Sequence, residues 1–249
     1  VSIDGTGRMQ LDAQDLSAFY RSPLGQVVRR ILAHRIRSRW RRAQGLSVAG
    51  LGFPPPLIGS FRGEAARLIA LMPAYQGAVV WPRQGPVMSV LIDEDRLPLS
   101  DNSVDRLLVV HCLETTDQSR AMLRELWRVL SPEGRLLVVV PNRRSMWARR
   151  DITPFGQGQP FSRGQLQQLL TEALFQPLDV STALHVPPVE WRPLLRWATA
   201  FERFGGRFFP GFGGVLLAEA RKEVAEALTA PGTARRAGRL VPVGLGGND

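Results

Sequence analysis

Cysteine is almost absent from this chain of 249 residues: Cys112 stands alone, which excludes an internal disulfide and any cysteine-rich zinc site. Its apolar surroundings mark it as a core thiol. Lysine is as scarce, Lys222 being the only one among 32 basic residues. Long apolar runs are missing too. No stretch nears the ~18 residues that a membrane helix requires, the longest being of the kind found over 136–141, so no membrane partner is expected. No signal-peptide pattern follows Met9, and a single reduced thiol fits a cytoplasmic location. No stripe of basic residues interleaved with aromatics accompanies the formal charge of +10. The arginines are dispersed, which reads as a solvated basic surface, and no nucleic-acid partner is expected.

What is present suffices for one substantial core. A chain of this length with 44% apolar residues reads as a single domain. Residues 1–8 look like an expression remnant, 9–228 like the domain, with a helical extension over 15–42, and the Gly- and Arg-rich 229–249 like a flexible tail.

The organising stretch is 46–61, LSVAGLGFPPPLIGSF. A short apolar run meets Gly50-Leu51-Gly52, and helix-permitting residues follow, as in the first strand, glycine turn and helix of a nucleotide-binding α/β domain. A third loop glycine is lacking. Phe53 and Pro54 to Pro56 stand there, and prolines offer no N–H where a pyrophosphate needs a nest of donors. NAD, FAD and ATP are thereby discounted.

Apolar residues at three- and four-residue spacing predict one helix over 15–42. Strands are predicted over 46–49, 67–72, 87–92, 104–110 and 135–140. The segment 73–86 reads as an irregular excursion, 116–130 as a helix, and 131–134 as the turn that ends it.

The most informative pieces are acid-x-x-x-Leu-Pro-x-x-Asp-x-Ser-x-Asp (Asp93, Leu97, Pro98, Asp101, Ser103, Asp105) and Leu-Arg-Glu-x-x-Arg-Val-Leu-x-Pro-x-Gly (Leu123, Arg124, Glu125, Arg128, Val129, Leu130, Pro132, Gly134). In these the chain resembles the class I S-adenosylmethionine-dependent methyltransferases, in particular the small-molecule, type 11-like group, with a degenerate cofactor loop. The resemblance implies a doubly wound, Rossmann-like α/β sheet of seven strands, mostly parallel with the last antiparallel. Helices over 166–174 and 191–204 and strands over 178–185 and 214–220 complete it.

It also implies a site at the carboxyl ends of the central strands. Gly50, Gly52, Asp93 and Leu97 are the expected cofactor-binding residues. Asp93 would accept from the adenine amino group, or else cap the following turn. His111, ending the fourth strand, would be the catalytic base, or a hydrogen-bonded core residue. Glu114 lies near the same mouth. Asn142, Arg143 and Arg144 would meet an acidic substrate, or form a solvated loop.

Val48 and Met72 stand where the family carries carboxylates. Losing a two-point, charge-assisted grip on the ribose costs about 2–5 kcal/mol, enough to carry a micromolar site toward millimolar. Weak or absent binding of S-adenosylmethionine is expected. Two functions follow: methyl transfer to a small molecule, or a catalytically impaired protein that binds or regulates another enzyme. The resemblance points to a metallo-hydrolase of the glyoxalase II type as that partner. The aromatic stretches 149–161 and 191–212, with Trp191, Trp197 and Phe208, are the expected docking surface or substrate cover.

Overall fold

The computed structural model describes residues 11–149 and 153–223; the expectations for 1–8 and 229–249 lie outside the described residues. Seven strands build one sheet: β1 (Ser47–Gly52), β2 (Arg67–Pro73), β3 (Ser89–Ile92), β4 (Val104–Val110), β5 (Leu130–Pro141), β6 (Phe175–Ala183) and β7 (Val215–Lys222). Their spatial order is β3-β2-β1-β4-β5-β7-β6. Pairings from β3 through β5 are parallel, and β7 runs antiparallel to both β5 and β6. This is the expected doubly wound sheet, with β1, β4 and β5 adjacent, parallel and buried.

The alternation of side chains along each strand divides the interior in two. Val48, Met72, Leu108, Val110, Leu137 and Val139 belong to one core, Ala49, Leu71, Leu107, Val109, Leu136 and Val138 to the other. Strands apolar on both faces must be covered on both. Helices α1 (Ala13–Arg21), α2 (Pro23–Arg39) and α3 (Pro55–Ile58) cover the first face, and α4 (Ser119–Val129) and α5 (Arg163–Glu172) the second. Helices α6 (Arg192–Arg196) and α7 (Ala198–Phe208) lie in the β6–β7 connection.

Three element expectations are corrected. The helix over 15–42 is two helices, because extended Ser22 ends α1 and begins α2: its N–H donates to Phe19 O at 2.9 Å, its Oγ accepts from Gly25 N, and Pro23 takes the first helical position. The chain folds back so closely that a Cβ on Gly25 would fall 1.8 Å from Phe19 O. The turn over 131–134 is instead an irregular start to β5, with a register shift between Val104 and Arg106 on β4. Asp105 ties that region together, accepting from Ser47 N at 2.9 Å and from Ser131 Oγ at 3.1 Å. Finally, the helix over 191–204 is broken at Trp197.

The two motifs form one clamp. Arg128 donates to Leu97 O, Leu99 O, Asp101 and both oxygens of Glu125, while Glu125 accepts from Leu97 N at 3.0 Å. The strongest sequence signature thus secures the β3–β4 connection to α4. Lys222 is structural as well: Nζ donates to Leu130 O and Asn102 Oδ1 and lies 3.9 Å from the Trp127 ring centroid.

Glu202 fastens α7 to the domain, accepting from Arg35 and from His185 N. Burial raises its pKa, but the His185 ring 3.3 Å away, then His185 N and Arg35, outweigh burial and hold the carboxyl below its ordinary range. A depressed folded pKa means stability present above the unfolded value and lost as pH falls through the folded one. Acidification below about pH 4 is therefore expected to loosen α7 before the sheet. Faster hydrogen exchange over 198–208 at pH 3.5 than at pH 6, after correction for intrinsic rates, checks this; equal protection contradicts it.

Candidate functional site

The expected site lies where β1 and β4 end. Gly52 turns the chain with φ of 94°, and Phe53 N donates to Val110 O at 3.0 Å, tying the two strand ends together. A Cβ at Gly50 would fall 2.3 Å from Pro54 Cβ. Pro54 thus fills the space beside the loop as well as lacking a donor. Gly50, Gly52 and Phe53 are all buried.

His111 follows directly, with φ of 53° and no solvent exposure. Its Nε2 lies 2.9 Å from the Tyr20 hydroxyl of α1, and its ring centroid is 4.7 Å from that of Phe155. Phe53 stacks on Tyr20 at 6.1 Å. Gln76, from the excursion after β2, donates through Nε2 to His111 O. Tyr75 lies beside it, its hydroxyl 3.1 Å from Thr115 Oγ1. Burial, assisted by Glu114, pushes the Tyr20 phenol far above its ordinary pKa, so it stays protonated. Burial likewise pushes Cys112 up, and its thiol is the inert core group expected.

Glu114 is buried too, with Oε1 3.7 Å from His111 Nδ1. Both its carboxylate oxygens, His111 Nδ1, Gln76 Oε1 and Thr153 Oγ1 are buried without a hydrogen-bond partner. Such groups are costly to leave unpaired, and the His111–Glu114 pair, with Gln76 beside it, is the strongest chemical anomaly in the described residues.

The structure brings Gly50, Gly52 and His111 together and leaves Asp93 and Leu97 apart. Asp93 is exposed beyond β3, two strands from β1, and its carbonyl closes a turn to Arg96 N at 3.0 Å. Its neighbour Glu94 turns toward the centre, accepting from Thr116 Oγ1. Leu97 is a core residue 3% exposed. Asn142 is buried and donates to Gly211 O and Gly213 O, holding the entry to β7. Arg143 and Arg144 are exposed.

Tyr20 and Gln76 were not legible as site residues, whereas Phe155 belongs to the stretch 149–161 expected as docking surface or substrate cover and packs on His111. Tyr20 read as one more member of an apolar helix face. Gln76 lay in an excursion without periodicity, one of two amides there with Gln84.

Tyr20, Phe53, Phe155 and Gln76 are all buried around His111 at these strand ends, and Met72 is fully buried, its Sδ accepting from Val79 N. None of the described grooves is lined by Gly50, Gly52, Asp93 or His111. One groove, of about 600 Å³, is lined by Tyr20 and Phe53 together with Arg21, Arg29, Trp81 and Arg83.

Comparison with known proteins agrees with the fold. Residues 71–138 match the family described as "Methyltransferase domain". No curated protein sequence matches the chain. Among solved structures, a methyltransferase from Thermotoga maritima, described as a possible histamine N-methyltransferase, is similar with TM-score 0.61 and 18% identity, covering 84% of this chain and 95% of that one. A chain from the Haloferax volcanii complex of the Trm112 methyltransferase activator with a methyltransferase gives 0.60 and 15%, covering 87% and 100%. Geranyl diphosphate C-methyltransferase from Streptomyces coelicolor, bound to Mg²⁺, geranyl diphosphate and S-adenosylhomocysteine, gives 0.53 and 16%, covering 77% and 76%. In fold across these neighbours, and in sequence over residues 71–138, the chain resembles the class I S-adenosylmethionine-dependent methyltransferases.

Proposed function

We propose that this chain is a methyltransferase-fold protein that acts by binding a partner, with its cofactor crevice closed by its own side chains. One observation carries the reading: His111, at the strand end where methyl transfer takes place in this fold, is sealed beneath Tyr20 and Phe155. Packing of Pro54 against Gly50 and the Phe53–Val110 hydrogen bond support it. The Haloferax neighbour, solved with its activator, gives a precedent for a protein partner. No described surface singles out a metallo-hydrolase.

A second reading, methyl transfer to a small molecule after α1 has moved away, is favoured by the unpaired atoms of His111 and Glu114. A buried imidazole and carboxylate 3.7 Å apart form a proton-accepting pair once solvent and substrate reach them.

Calorimetric titration with S-adenosylmethionine and S-adenosylhomocysteine separates the two. The wild-type chain is expected to bind either one with Kd above about 100 µM, and Tyr20→Ala with Phe155→Ala to bind at least about tenfold more tightly. Wild-type binding below about 10 µM would overturn the proposal and favour the enzyme.

A further inference from the structure

The connection between β6 and β7 carries the largest apolar exposure in the described molecule. Trp191, Trp197, Phe204, Phe208, Phe209 and Phe212 are each more than half exposed, and Phe201 is 38% exposed. On α7 the aromatics follow helical spacing. Trp197, Phe201, Phe204 and Phe208, at i, i+4, i+7 and i+11, fall in one line along the helix. Arg203 and Arg207 fall about 100° away in a second line, Arg196 ends α6 just before the break, and all three are exposed. The remaining side is anchored: Ala198, Glu202 and Gly205 are buried, and Gly205 leaves room for His185. The aromatic line is therefore held outward by packing beneath it. An open groove of 540 Å³ between Trp191, Leu194, Trp197, Phe201 and Phe204 runs along it.

The polar inventory of this face decides what covers it. Among the described side chains of 191–212, Thr199 carries the only exposed neutral acceptor, and the only acid, Glu202, is buried and paired with Arg35. A protein interface carries about one hydrogen bond per 100–200 Å², with acceptors as well as donors. This face offers cations and rings and almost no acceptor. Aromatics along one line with arginines beside them, on a helix lying flat against its domain, are what an interfacial helix presents to a bilayer. The arginines reach phosphates while the rings enter the headgroup boundary. The charge of +10 adds long-range attraction to an anionic surface. Arg144, its guanidinium carbon 5.2 Å from the Phe212 ring centroid, adds another cation at the same edge.

We propose that the α6–α7 face docks the protein on an anionic lipid bilayer, by insertion of Trp197, Phe201, Phe204 and Phe208 flanked by Arg196, Arg203 and Arg207. No helix of the described residues is long and apolar enough to cross a membrane, so this is attachment at one leaflet. The proposal goes beyond the binding reading and is independent of it, because a catalytic and a non-catalytic domain present the same face.

Vesicle co-sedimentation of the full chain tests it, with phosphatidylcholine alone and phosphatidylcholine mixed with phosphatidylglycerol. The expected result is partition onto the mixed vesicles at low salt, weakened at least about tenfold on the neutral ones, with quenching of tryptophan emission by brominated lipid. Trp197→Glu with Phe204→Glu, both at exposed positions, is expected to abolish partition with the thermal midpoint unchanged. Arg196→Glu with Arg203→Glu and Arg207→Glu is expected to remove the preference for anionic lipid. A chain that stays in the supernatant with both compositions overturns the proposal, whatever protein it then captures. Partition that survives the Trp197 and Phe204 substitutions overturns it equally.

Discussion

Gly52→Ala is expected to lower stability by about 3 kcal/mol or more. For a domain of this size that corresponds to a fall of roughly 10 °C in the thermal midpoint. The added Cβ would stand 2.1 Å from Val110 O and 2.9 Å from Cys112 Cβ. Relief requires breaking the Phe53–Val110 hydrogen bond and parting β1 from β4 at the centre of the sheet. The backbone adds a second cost, since φ of 94° is a region that side chains other than glycine rarely occupy. Gly45→Ala separates the two contributions. Gly45 also has positive φ, 77°, but its Cβ would meet nothing within 4 Å, so only the backbone cost of about 1 kcal/mol is expected there. Equal losses for the two variants would mean that the strand ends are not clamped.

The second large effect falls on Arg128. Removing its guanidinium in Arg128→Ala deletes hydrogen bonds to the carbonyls of Leu97 and Leu99 and to the carboxylates of Asp101 and Glu125. Bonds between charged groups contribute about 1.5–3 kcal/mol each when buried. With the side chain 32% exposed, solvent screening reduces the sum, and a loss of about 2–3 kcal/mol is expected. The effect depends on pH with a definite sign. The Arg128 hydrogen bond holds Glu125 below its ordinary range, with Leu97 N assisting. That stabilisation is present above the unfolded pKa of Glu125 and disappears as pH falls through the lowered folded value. Denaturant midpoints of wild type and Arg128→Ala should therefore converge between pH 7 and pH 3. A gap of constant width would show that the carboxylate is not what the arginine secures.

Sheet and strand content were legible because continuous apolar runs such as 104–110 and 135–140 are what buried parallel strands require, and the structure sets strands there. The Arg128 clamp shows why the family signature was easy to find yet uninformative about chemistry: its residues hold a loop to a helix. The break at Ser22 was also on the page, as a cap residue followed by proline, but the apolar spacing runs through it and dominated the reading. The closed crevice was not legible. It needs Tyr20 from α1, Gln76 from an aperiodic loop and Phe155 from the far side of β5 to meet at His111, and no local pattern encodes contacts at a separation such as the 91 residues between Tyr20 and His111. Helix boundaries in 191–208 failed for a related reason, since the aromatic spacing continues across Trp197.

Helix α1 has nine residues, well short of the length at which an isolated helix persists in water. It exists because it is docked, so its melting would take Tyr20 off His111 in a local opening separate from unfolding of the sheet. Any ligand that needs the strand ends must draw on the open population, and its apparent affinity is its intrinsic affinity reduced by that fraction. An opening free energy of about 4 kcal/mol would turn a micromolar site into a millimolar one with no change in any residue that touches the ligand. The residues that set such an affinity are then those of the hinge at Ser22 and Gly25, which lie on the helices and not at the loop.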